Sequence, residues 1–345
     1  MDALKRKGIE MKNTQKVGTG KIVGRRFRPL ALIVLAFSVI AATACGAGSS
    51  QSASQDDFLL GIVSISASES NNARFISGAK EVAKEKGWKV EVVDADGSAE
   101  KANTSMRNFV QKDAGAIIDM VFPVTSIGAG LAATKQADIP VATWGGGIDD
   151  GVVATTGAGG PLAVPIVEQM VEEMDGEGSV LALTYRSGLV CREREEVFDK
   201  VMADNPNIEV TKNEVGIPGF FQDGAQYSTA WLSGNPPDSG NLAIWGCWDD
   251  PALGAISGLK QRGREDVQVY GQNGNQEAIN AVETGSMTAT NYQNSTEEGR
   301  KLVDTIDKAI KAGDGWKPKN VTVPGTVVTS DNIDKFLKEN PKAGG

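Results

Sequence analysis

The segment LLGIVSISASESNNARFISGAKEVAKEKGWKVEVV, residues 59–93, decides the fold. Its opening run, Leu59–Ile65, is short and mostly apolar, which predicts a buried strand. In Asn71–Lys86 the apolar residues Phe75, Ile76, Ala79, Val82 and Ala83 recur at helical spacing and share one face. Gly87 stops that helix, and Trp88–Val93 reads as a second strand. A strand, a covering helix and a second strand in one short stretch make a βαβ unit, the building block of a parallel sheet.

Outward from that unit the rhythm continues. Helices near Ala99–Lys112 and Ser126–Gln136 alternate with strands at Ala116–Met120 and Pro140–Trp144. After Val152–Thr155 and the punctuation at Gly157–Pro161 the pattern restarts. Val180–Leu183, Ile208–Val215, Leu242–Gly246 and Val267–Tyr270 are the next strands. Helices near Val190–Ala203, Gly224–Leu232, Pro251–Arg262 and Gln276–Thr284 follow them, then a last helix, Thr296–Ala312, and strands near Val321–Val328. Two rounds of one pattern predict an α/β protein of two doubly wound parallel-sheet lobes joined by a multi-strand hinge. The expected lobes are residues 58–157 with 295–324, and residues 158–294 with 325–340. In such sheets ligands sit beyond the carboxyl ends of the strands, so lobes facing by those ends enclose a cleft. Gly157–Gly160 lacks the Gly-Lys-Ser/Thr ending of a phosphate loop and reads as a crossing between lobes.

The amino terminus carries a separate message. Lys12, Lys16, Lys21, Arg25, Arg26 and Arg28 precede Leu30–Ala42, an apolar run too short for a membrane span. Small residues and Cys45 follow, the order of a secretory signal. Ala42-Thr43-Ala44-Cys45 resembles a bacterial lipobox, which implies cleavage after residue 44 and lipidation of Cys45. The expected mature protein is then held outside the cytoplasmic membrane, with residues 45–57 as a flexible polar tether. Residues 1–44 hold nine of the 35 basic and two of the 44 acidic side chains, leaving 26 against 42 in the remainder. So acidic a surface argues against nucleic acid as a partner. The chain has no histidine, which removes the commonest general base and the commonest zinc ligand. No metal, cofactor or catalytic residue is expected.

Three motifs carry a resemblance. They are Gly246-Cys247-Trp248-Asp249-Asp250-Pro251-Ala252-Leu253-Gly254-Ala255, the stretch Glu283–Gln293 (ETGSMTATNYQ), and Cys191-Arg192-Glu193-Arg194-Glu195-Glu196-Val197-Phe198. With the rhythm of Ala79–Asp96, they make residues 58–340 resemble the type I periplasmic binding proteins of the ribose/sugar class, the solute-capturing part of ABC importers. The lac-repressor-type regulators share the fold but begin with a helix-turn-helix, where this chain has a signal and a tether. The resemblance implies a monomer that delivers a small sugar or polyol to an ABC permease and does no chemistry on it. A receptor for a small organic anion, an extracytoplasmic enzyme and a chemosensory receptor are the alternatives.

The resemblance also implies the site. Arg194 matches the arginine that clamps sugar hydroxyls, and a guanidinium offers five donors in a fixed fork. Arg192, two positions off the match, is expected to face solvent. Gln293 ends the strand that carries the family's ligand-binding glutamine. Asn273 stands where an aspartate is usual, and Trp248 where an asparagine is usual. Trp144, Phe122 and Phe221 fall near strand ends, where an aromatic face packs against the C–H face of a sugar. Trp231, Trp245 and Trp316 read as packing residues. Glu69 and Asn71 lie in the stretch that replaces the family's first-lobe motif. Gly145-Gly146-Gly147 replaces the Asp-Arg that commonly follows Trp144, so the charged ring of a pentose site is reduced. Cys191 and Cys247 fall beyond two strands expected to be neighbours; a disulfide and two buried small hydrophobes both remain open.

Overall fold

A computed structural model describes residues 58–157, 159–341 and 343. The expected signal, Cys45 and the tether lie outside the described residues. The first half of the fold runs β1 (Leu59–Ser64), α1 (Ser70–Glu85), β2 (Lys89–Asp94), α2 (Ala99–Gln111), β3 (Ala116–Met120), α3 (Gly128–Gln136), β4 (Val141–Trp144) and β5 (Val152–Thr156). The second runs α4 (Gly160–Glu173), β6 (Gly178–Thr184), α5 (Leu189–Ala203), β7 (Ile208–Glu214), α6 (Phe220–Trp231), β8 (Leu242–Gly246), α7 (Asp249–Gln261), β9 (Val267–Asn273), α8 (Gln276–Glu283) and β10 (Ala289–Tyr292). Then come α9 (Ser295–Ala312), β11 (Lys319–Asn320), β12 (Thr326–Thr329) and α10 (Ile333–Glu339).

Two six-stranded sheets result, ordered β11-β5-β4-β3-β1-β2 and β12-β10-β9-β8-β6-β7. β1 lies between β2 and β3, with Ile62 opposite both Val92 and Ile118, and β6 lies likewise between β7 and β8. These are the switch points of the two doubly wound sheets. β12 alone runs antiparallel, against β10. The chain passes between sheets three times: from β5 into α4, which packs on β9 and β10; from β10 into α9, which packs on α1 and β5; and from β11 to β12.

The elements form where side-chain chemistry favours them. Glu69 caps α1 by accepting the Asn72 N–H at 2.8 Å, and Phe75, Ile76, Ala79, Val82 and Ala83 all turn inward. That face meets Leu302, Val303 and Ile306 of α9 against one side of the first sheet. Met106, Phe109 and Leu131 of α2 and α3 cover the other side, against Val63, Ile117 and Val141. Strands buried on both faces explain the unbroken apolar runs. Each fully buried Phe or Ile contributes roughly 1.5–3 kcal/mol.

Three helix starts differ from the sequence expectation by two residues or more, and the first is α3, which begins at Gly128 rather than Ser126. α6 begins at Phe220 rather than Gly224, and α7 at Asp249 rather than Pro251. Asp249 and Asp250 occupy the first turn of α7.

Candidate functional site

A cavity of about 60 Å3 lies between the carboxyl ends of the two sheets. The first lobe lines it with Glu69 and Asn71 at the start of α1, Val121 just after β3, and Trp144 at the end of β4. The second contributes Tyr185 after β6, Cys191 and Arg194 of α5, Trp248 after β8, Asn273 at the end of β9, and Gln293 after β10.

Arg194 is the centre of the polar set and is only 2% exposed. Its Nη1 donates to the Cys247 carbonyl at 2.6 Å, and Nη2 to Asn273 Oδ1 at 3.0 Å and Gln293 Oε1 at 3.3 Å. Burial lowers its pKa to about 10, against the opposing pull of Asp249 and Glu298, so it stays charged at neutral pH. Gln293 Nε2 in turn donates to Glu298 Oε2 at 2.8 Å, and Trp144 Nε1 donates to the same oxygen at 2.7 Å. Glu298 therefore fixes one cavity residue of the first lobe and one of the crossing segment. Burial raises its pKa, while the hydrogen bonds from Trp144 and Gln293 and the charge of Arg194 hold it down.

Asp249 is fully buried beneath the site and accepts from the Asn275 N–H at 2.8 Å and Thr290 Oγ1 at 2.7 Å. Burial pushes it up to about 7, with those two donors acting against the shift. Arg74 reaches from α1 into the second lobe, donating to the Asn273 carbonyl at 2.7 Å and the Gly274 carbonyl at 3.1 Å. It also bonds Asn71 Oδ1 at 2.9 Å and lies 5.4 Å from the centre of the Tyr292 ring. Asp250 meets Glu69 across the cleft; burial, then the Glu69 carboxylate, pushes Asp250 up to about 9.

The aromatic walls are braced from behind. Trp248 is packed edge-on by Tyr185 at 6.0 Å and Phe220 at 5.6 Å, and a tilted Phe75 ring packs on Trp144 at 5.2 Å. The disulfide Cys191–Cys247, with Cα atoms 5.5 Å apart, joins the start of α5 to the loop that carries Trp248. Two non-glycine cavity residues hold positive φ angles, Val121 at 77° and Asn273 at 105°. For a β-branched residue that is strained backbone, costing of order 1–3 kcal/mol and persisting only where the surroundings enforce it.

Arg194, Gln293, Asn273, Trp248, Trp144, Glu69 and Asn71 thus share one cavity. Phe122 and Phe221 are not part of it. The turn at Val121 sends Phe122 into the hydrophobic core, where it is 2% exposed. With α6 starting at Phe220, Phe220 backs Trp248 while Phe221, 40% exposed, joins an outer groove with Leu253 and Ile256. Arg192 is half-buried, not free in solvent. Sequence reasoning missed Glu298, Arg74, Tyr185 and Val121. Glu298 and Arg74 sit on helices whose sequence shows only an ordinary charged face, and nothing local marks their reach across the crossing.

Two facing doubly wound lobes with a buried aromatic and polar cavity between them define a bilobal binding protein. The chain belongs to the periplasmic binding protein domain family, which matches residues 61–314. Its relatives include a xylitol-binding protein of Mycolicibacterium smegmatis, 25% identical over 306 residues, covering 86% of this chain and 84% of the relative. Another is the ribose import binding protein RbsB of Escherichia coli, 28% identical over 251 residues, covering 70% and 82%. Among solved structures, an ABC transporter solute binding protein from Agrobacterium vitis with bound allitol has the same fold. Its TM-score is 0.77 at 22% identity, over 83% of this chain and 100% of that one. Family membership places the protein outside the cytoplasm. Among the described residues no helix is long and apolar enough to cross a membrane.

Proposed function

We propose that this protein is the solute-binding component of an ABC importer and captures one small sugar or polyol between its lobes by hinge closure. The observation that carries the reading is the Arg194 fork, held by Asn273, Gln293 and the Cys247 carbonyl, facing aromatic walls from both lobes. Hydroxyls need paired donors and acceptors, and amides beside a guanidinium supply both. Trp144, Tyr185 and Trp248 suit the apolar face of a ring or polyol chain. The relatives named for xylitol and ribose support the solute class. The protein acts as a monomer, tethered to the membrane through a lipid on Cys45, and an ABC permease receives the solute. An organic anion fits less well, because Asp249, Glu298, Glu69 and Glu193 already act on Arg194 with negative charge. An enzyme would need a base and a nucleophile within reach of each other, and turnover of a bound solute would sink the binding reading.

The test is the melting temperature of the chain from residue 49 onward against pentoses, hexoses, polyols and small carboxylates. A solute at a thousandfold excess over its Kd adds about 4 kcal/mol to the native state. A shift with a sugar or polyol supports the proposal. A shift with carboxylates alone, or silence across the panel, counts against it.

A further inference from the structure

This inference rests on reading the cavity as a solute site. We propose that the solute carries a protonated amino group, as in an amino sugar or amino polyol, and that the Glu69 carboxylate receives it.

The carboxyl groups at the cleft balance its cations only by holding protons. Glu69, Asp249, Asp250 and Glu298 face only two cations, Arg74 and Arg194, and the further charges acting on Arg194 and Asp250 include Glu193 and Glu277, both acidic. Most of these groups have their partners inside the protein. Glu298 holds Trp144 and Gln293, Asp249 holds Thr290 and the Asn275 amide, and Arg74 ties down the Asn273 and Gly274 carbonyls. Glu69 Oε1 and Asp250 Oδ2 are buried, and the one donor between them is the proton that Asp250 holds toward Glu69. Glu69 is 8% exposed, lines the cavity, and uses only Oε2 to cap α1.

Two carboxyl groups that meet under burial need one positive charge between them. In the solute-free protein that charge is a proton held by Asp250. An ammonium group supplies the same charge together with three donors and no acceptor, which suits acceptor-only oxygens better than a hydroxyl does. The surroundings agree, because Trp144, Tyr185 and Trp248 line the same cavity and aromatic faces attract cations. When an amine enters as R–NH3+, it displaces the Asp250 proton, which passes to the buffer. No covalent bond of the solute is made or broken.

The test is calorimetric titration of the purified full chain at pH 7 with matched pairs: D-glucosamine and D-glucose, D-glucamine and D-glucitol, an inosamine and myo-inositol. The expected result is that in at least one pair the amine binds about ten- to hundredfold tighter, the scale of a charge-assisted hydrogen bond. E69Q narrows that gap; glutamine retains an oxygen for the Asn72 N–H, so the cap on α1 survives. Titration in two buffers of different ionisation enthalpy needs no variant and reads proton release with the amine alone. Parents binding as tightly as their amines, or no proton release, overturns the inference and leaves the proposed function standing. If neither member of any pair binds and no sugar or polyol shifts the melting temperature, the proposed function itself fails.

Discussion

Arg194 donates to oxygens on three different segments, the Cys247 carbonyl, Asn273 and Gln293, so its loss is felt in all of them. Arg194→Ala leaves those acceptors buried without a donor, and calorimetry should show solute affinity lower by about a hundredfold or more. Arg194→Lys should rescue little of it, because a single ammonium does not reproduce the planar fork. Asp250 gives a pH prediction of definite sign. Its folded pKa of about 9 lies above the 3.8 of the free side chain, so the folded state holds a proton that the unfolded state has lost. Stability should therefore fall as pH rises from about 4 to 9, by at most about 1.4 kcal/mol per unit from this group. Urea denaturation at pH 6 and pH 9 measures it, and Asp250→Asn should flatten the dependence. At this scale the sequence was informative where a residue sits in a motif, as Arg194 and Gln293 do. It was silent on Glu298, whose role appears only when the crossing brings the start of α9 under Gln293. Phe122 misled because the backbone turn at Val121, which no residue type announces, reverses its direction.

Helices and strands set those side chains in place, and two features of their packing can be tested. α1 and α9 approach so closely that a Cβ on Gly78 would stand 2.0 Å from the Thr296 carbonyl, and one on Gly299 would stand 2.2 Å from the Phe75 carbonyl. Gly78→Ala should cost about 1–3 kcal/mol through overpacking and lower the melting temperature accordingly. The Cys191–Cys247 bridge spans 56 residues, for which the chain-entropy model gives about 4 kcal/mol. Replacing both cysteines with serine should remove much of that in urea titration. Element order was legible because a helix covering a parallel sheet shows its period directly, as Phe75 to Ala83 do. Helix starts were not, since α6 and α7 begin in glycine- and aspartate-containing turns that lack apolar periodicity.

At the scale of the molecule, the lobes are joined by three passages of chain, and Gln293 lies on one of them. A solute that touches Gln293 is therefore held beside the hinge as well as by both walls. Arg74 strengthens the same region, linking α1 to the end of β9. The two-lobe plan could be read from the restart of the strand–helix rhythm after Gly157–Pro161. The fit of one lobe to the other could not, because it depends on pairs such as Trp144 with Glu298, far apart in sequence. The two walls also give the protein an optical voice. Of its six tryptophans, Trp144 and Trp248 line the cavity from opposite lobes. Excitation near the indole band should produce an emission that changes in intensity or colour when solute arrives. Trp248→Phe should mute most of that signal if its indole lies nearer the solute than that of Trp144. Binding can then be followed by light alone, without a label.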